Sequence, residues 1–111
     1  MNLDAIQASD RLACEHYQQG RFLQSLEQNY RTLAILGHVT ASISKNSAAC
    51  YSRMFEPHQA ISWFTKYLDI TGSQTAEDLR QHAGYHAQAG LLDQAQDIVA
   101  SVPHACFEKY H

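Results

Sequence analysis

Apolar residues recur at helical spacing along most of the chain. Phe22, Leu26, Tyr30 and Leu33 step by four, four and three, which puts them on one face of a helix. Val39, Ile43, Cys50 and Met54 make a second stripe. Ile61, Phe64 and Leu68 make a third, and Leu92, Ala95 and Val99 a fourth. No segment of comparable length alternates apolar and polar as a strand would. The breaks fall between the stripes, at Gly20, Gly37, Glu56-Pro57, Gly72 and Gly90. Pro57 suits the first turn of a helix, where its missing N–H costs nothing. Gly37 and Gly72 suit the left-handed residue that follows a helix end. Thr75, with Asp78 three residues on, is a start signal for a fifth helix. The pattern predicts six helices, over 4–19, 22–36, 39–54, 57–71, 75–89 and 92–102, paired as three antiparallel hairpins. One hairpin cannot bury its own apolar face, so stacked neighbours must supply the rest of the core.

A shift of the chain against itself by 35 residues brings small side chains into register. Ala13, Ala48 and Ala83 superpose, as do Ser25, Ala60 and Ala95. The rings of His16, Tyr51 and His86 coincide, Gly37 meets Gly72, and Gly20 meets Gly90 with Phe55 between them. Asn29, Phe64 and Val99 share one place. Small residues recurring at one place on a helix let a second helix approach closely, which is the informative part of the match.

These residues resemble the tetratricopeptide repeat family, which pairs two short helices in a unit of about 34 residues. Ala48, Tyr51, Ala60 and Phe64 of the middle unit carry the likeness best. Leu79, Ala83, Gly90 and Ala95 carry it in the third unit, and Leu12, Ala13, Gly20 and Ser25 in the first. The repeats are degenerate: Ser9, Ser44 and Leu79 stand where the family has tryptophan, and Phe55 stands where it has glycine. The resemblance spans residues 4–102. It implies an all-α fold, a right-handed stack of three helix-turn-helix hairpins of the α-solenoid kind, over 1–103, followed by a short tail or cap at 104–111.

The resemblance also implies a function: an adaptor or small chaperone that holds a partner segment in a concave groove lined by the first helix of each hairpin. The groove residues it points to are Asp10, Cys14 and Tyr17, then Lys45, Asn46 and Arg53, then Glu77 and Arg80. Ser42, Ala49, Ser52, Gly84 and Ala87 fall on the same faces. A subset of the family grips a C-terminal carboxylate with Lys, Asn and Arg. The matching places here hold Asp10, Cys14, Asn46, Glu77 and Gln81, and two acids there would repel a carboxylate. Small repeat proteins of this sort are also similar to the dedicated chaperones of bacterial secretion systems, though no motif selects that subset. Two other functions share the pattern: a docking or oligomerisation domain of a larger enzyme such as a transferase, and a pentatricopeptide-like RNA binder.

Composition narrows these choices. The 111 residues suit one domain, and 45% apolar content excludes a disordered chain. A net charge of -3 argues against a backbone binder of nucleic acid, which needs a basic face. Three cysteines at wide spacing, Cys14, Cys50 and Cys106, form no disulfide framework and point to a reducing, cytoplasmic setting. The start has charges at Asp4, Asp10 and Arg11 and no apolar signal core. No run approaches the ~20 apolar residues of a membrane span.

Candidate chemistry is thin, and neither a catalytic residue, a metal nor a cofactor is expected. His82 and His86 are four apart and could share a metal, but no third ligand lies near, and His86 holds the packing place of His16 and Tyr51. His104 and Cys106 are two candidate ligands in the tail. Cys14 and His16, two apart on a helix, point away from each other. Trp63 either packs between hairpins or stands partly exposed as a contact. Three readings of the tail compete: it folds back as a cap, the uncovered end of the third hairpin pairs with a second copy, or the chain is cut from a longer protein.

Overall fold

A computed structural model describes residues 3–101. These form six helices: α1 (Leu3–Gln18), α2 (Phe22–Leu36), α3 (Ala41–Arg53), α4 (Pro57–Thr71), α5 (Ala76–Gln88) and α6 (Leu92–Ala100). The expected tail at 104–111, with His104 and Cys106, lies outside the described residues. Each expected helix is present within a few residues of its expected ends. The differences sit at fraying termini, where one residue in or out of the last turn changes little energy.

Local chemistry accounts for the boundaries. The two first-in-hairpin helices that follow a loop start on threonines one repeat apart: Thr40 Oγ1 accepts the Ile43 N–H at 3.2 Å, and Thr75 Oγ1 accepts the Asp78 N–H at 3.2 Å. Gly37 and Gly72 close α2 and α4 in the left-handed conformation, their N–H groups bonded to the carbonyls of Leu33 and Leu68. Inside each hairpin the turn repeats one backbone bond. The N–H of Arg21, Glu56 and Leu91 reaches back to the carbonyl of His16, Tyr51 and His86 at 2.8, 2.8 and 2.9 Å. Such a turn needs a left-handed residue just before the donor. Gly20 and Gly90 supply it at φ 77° and 81°, and Phe55 does so at 61°.

Hairpin partners α1–α2, α3–α4 and α5–α6 lie against each other, and successive hairpins meet through α2–α3 and α4–α5. The stack measures 42 × 26 × 25 Å. The small residues in register are the ones at the close approaches: Ala13, Ala48, Ala83, Ser25, Ala60 and Ala95 are all buried. The apolar core gathers around Phe64, which is fully buried among Ile43, Ala48, Ala60, Trp63 and Tyr85. Trp63 packs between hairpins, with its ring 6.2 Å from Tyr30 and Lys66 over its face at 4.4 Å. It is therefore not an exposed contact.

The junction of the first two hairpins is polar instead. Asn29, in the repeat place of Phe64, is buried and donates to Asn46 Oδ1 at 2.7 Å and to Ser47 Oγ at 3.0 Å. Ser25 Oγ donates to the Ala13 carbonyl at 2.7 Å and lies 2.9 Å from Asn46 Oδ1. Ser9 and Thr32 share a short hydroxyl contact, and Gln28 donates to Ser9 at 2.7 Å. Buried polar groups are tolerated because they satisfy one another.

Candidate functional site

The inner helices α1, α3 and α5 enclose an open cavity of about 430 Å³. Cys14 and Tyr17 stand on its α1 side, Ser42, Lys45, Asn46 and Ala49 on α3, and Gln81 on α5. Tyr67 closes the floor from α4. These positions share helix faces: Ser42, Lys45 and Ala49 step by three and four, and Cys14 and Tyr17 by three.

Three of the lining residues, Lys45, Asn46 and Tyr67, are held from behind. Asn46 is fixed through its amide oxygen by Asn29 and Ser25, so the α2 polar network orients a groove residue of α3. Lys45 Nζ lies 3.4 Å from Asp78 Oδ1 and 5.0 Å from the centre of the Tyr67 ring. Asp78 is buried and also accepts from Tyr67 at 2.9 Å and from Ser73 at 2.6 Å. Burial pushes the Asp78 carboxyl up, but the bonds from Ser73 and Tyr67 and the charge of Lys45 outweigh it and hold it below its ordinary value. The same pairing outweighs desolvation at Lys45 and raises its ammonium. This four-residue lock joins α3, α4 and α5 at the cavity floor. Toward the C-terminal ends of the same helices, Ser52 and Gln88 exchange two hydrogen bonds of 2.7 and 2.9 Å, tying α3 to α5.

Of the eight expected groove residues, four line this cavity together: Cys14, Tyr17, Lys45 and Asn46. Arg53 is not in the lining; it lies over the Phe22 ring at 5.9 Å, and Phe22 in turn meets Tyr17 edge-on at 5.4 Å. Asp10 is half-buried on α1 outside the lining, and burial pushes its carboxyl up. Glu77 is exposed on the first turn of α5. Arg80 lies elsewhere: with Gly84 and Ala87 it lines an apolar cavity of about 580 Å³ on α5 and α6, completed by Leu92, Ala95 and Val99. Tyr67 was missed by sequence reasoning because it belongs to a second helix, which the repeat pattern assigns to the outer side. Its only sequence signal is its position one residue ahead of the stripe residue Leu68.

The geometry separates the residues that might have been reactive. Cys14 lines the cavity, whereas His16 Nδ1 accepts from Arg21 Nε at 2.9 Å on another side of α1. His82 and His86 meet edge to face at 4.5 Å, and His86 Nδ1 bonds to the His82 carbonyl at 2.9 Å. Among the described residues no group of three or more His, Cys, Asp or Glu side chains is placed to hold a metal. Cys14 is an exposed and Cys50 a buried free thiol. No described helix is long and apolar enough to cross a membrane.

No protein-family model matches the chain, and no curated protein matches it in sequence. Its fold is similar to that of PcrH, solved in complex with the chaperone binding region of PopB. The match has a TM-score of 0.77 at 19% identity and covers 96% of this chain and 89% of PcrH. At that identity the likeness speaks for the fold: an all-helical repeat stack.

Proposed function

We propose that this chain is a small chaperone or adaptor that holds a segment of another protein in the cavity between α1, α3 and α5, and that it is not an enzyme. The observation that carries this reading is the convergence of Tyr17, Lys45, Asn46 and Tyr67 on one open cavity, with each of the last three anchored by residues behind it. Rigid aromatic and polar walls lose little entropy on binding a chain. Small side chains at Ala49, Ser42 and Cys14 leave room for a partner's apolar side chain beside Tyr17. The likeness to PcrH, a protein solved with a segment of a second protein, supports the same use of the fold.

A polypeptide suits the cavity better than RNA. Its cation, Lys45, is already paired with Asp78, so little is gained by adding a phosphate. Among the described residues no cysteine, serine or threonine is hydrogen-bonded to a histidine nitrogen, which supports a binding role over catalysis.

Co-purification from native lysate tests the reading, comparing wild type with Tyr17→Ala/Asn46→Asp. One protein recovered with wild type, and reduced at least about tenfold with the variant, is the expected result. Equal recovery by both forms would move the binding site away from this cavity. Turnover of a substrate by the isolated chain would end the non-enzyme reading.

A further inference from the structure

The turn of the middle hairpin departs from its two siblings. All three turns make the same backbone bond and all need a left-handed residue, yet only the middle one fills that place with a bulky side chain. Phe55 takes φ 61° there and is 84% exposed. An L-residue of this size is strained in that conformation, and an aromatic ring in water gains nothing from burial. Within the chain neither cost is offset, since Phe55 makes no ring contact among the described residues.

Beside it lies a second apolar feature, on the outer face and away from the groove. A cavity of about 620 Å³ is lined by Leu23, Leu26, Tyr30 and Ala34 of α2 and by Tyr51 and Met54 at the end of α3. Leu23 is 68% exposed at its mouth. The knob at Phe55 and the hole that begins at Met54 are thus adjacent in sequence. The hole's rim carries Glu27 and Arg31, one turn apart and paired at 3.0 Å, both largely in solvent.

We infer that this outer face pairs with a second copy of the chain about a two-fold axis, each Phe55 entering the Tyr30–Ala34 end of the other copy's cavity. The rim chooses the occupant. Two α2 helices crossing antiparallel place Glu27 of one copy beside Arg31 of the other, and the reverse, so the face is complementary to itself in charge. A knob next to its own hole is the arrangement that a two-fold axis satisfies twice. This interface lies apart from the groove and does not depend on the groove reading.

Sedimentation velocity from about 1 to about 200 µM tests it. Wild type is expected to pass from monomer to dimer across that range. Phe55→Gly is expected to weaken the dimer at least about tenfold while raising the melting temperature of the monomer by a few degrees, because it restores the residue the turn prefers. Glu27→Arg should weaken association, and Glu27→Arg/Arg31→Glu should restore it. Wild type that stays monomeric throughout overturns the inference. So does a dimer that survives Phe55→Gly, or one lost instead on changing Leu92 and Val99. A wild-type monomer whose captured partner protein is lost on Phe55→Gly also overturns it, by giving the face to that partner.

Discussion

Phe64 is the residue on which most of the apolar packing converges: its ring meets Tyr67 at 5.1 Å, Tyr85 at 5.4 Å and His82 at 5.8 Å. Phe64→Ala is expected to cost about 3–5 kcal/mol in urea unfolding. Asn29 fills the same repeat place one hairpin earlier but acts through hydrogen bonds, so Asn29→Ala is expected to cost about 1–3 kcal/mol by taking the amide donor from Ser47 and from Asn46, which keeps the Ser25 hydroxyl. Asn29→Leu should not recover that loss, because Asn46 and Ser47 still lack the amide donor of Asn29. His82 carries a buried Nε2 without a hydrogen-bond partner among the described residues, and desolvation, with His86 beside it, lowers its pKa below 6.5. Above the ordinary histidine value both folded and unfolded forms are neutral at this site. As pH falls through about 6.5 the unfolded chain takes up the proton first, so stability declines. Chemical denaturation between pH 7 and 5 should show this slope, and His82→Leu should reduce it.

Helices here begin by two devices. Those that follow an inter-hairpin loop rest on a threonine cap, while α2, α4 and α6 start directly from a tight turn without a side-chain cap. Thr40→Ala and Thr75→Ala are each expected to cost about 1 kcal/mol in thermal unfolding. Equal values are not expected. Thr75 initiates the helix that carries Asp78, so its loss also loosens the lock on Lys45 and Tyr67. A cost at Thr40 larger than at Thr75 would count against that coupling.

The whole stack depends on how the third hairpin is joined to the second. Apolar packing at Phe64 and the Asp78 lock both act at this junction, and the lock also forms the groove floor. Asp78→Asn is expected to speed amide exchange in α5 and α6 more than in α1 and α2. The carboxyl is held below 3.8 in the fold, so its contribution is complete at neutral pH and is lost only as pH falls below that value. Acid unfolding should therefore show two steps of cause, His82 first and Asp78 much later, and Asp78→Asn should remove only the second.

Much of this was legible along the chain. The period of small residues located the close helix approaches, because Ala13, Ala48 and Ala83 must be small wherever a second helix crosses them, and the glycines with Pro57 marked the boundaries. Such signals are local, and local backbone chemistry is what sequence by itself determines. The candidate site was half legible: the family resemblance pointed to Cys14, Tyr17, Lys45 and Asn46 among its inner-face positions, and these four line one cavity. Period could not say that Arg80 turns toward the end of α5 and α6, because a helix's rotation against its neighbours is set by packing. Nor could it say that Lys45 meets an acid 33 residues away, that Tyr67 reaches the floor from an outer helix, or that Phe55 stands in water at a strained turn. Those relations join residues far apart in the chain, so only the tertiary structure decided them.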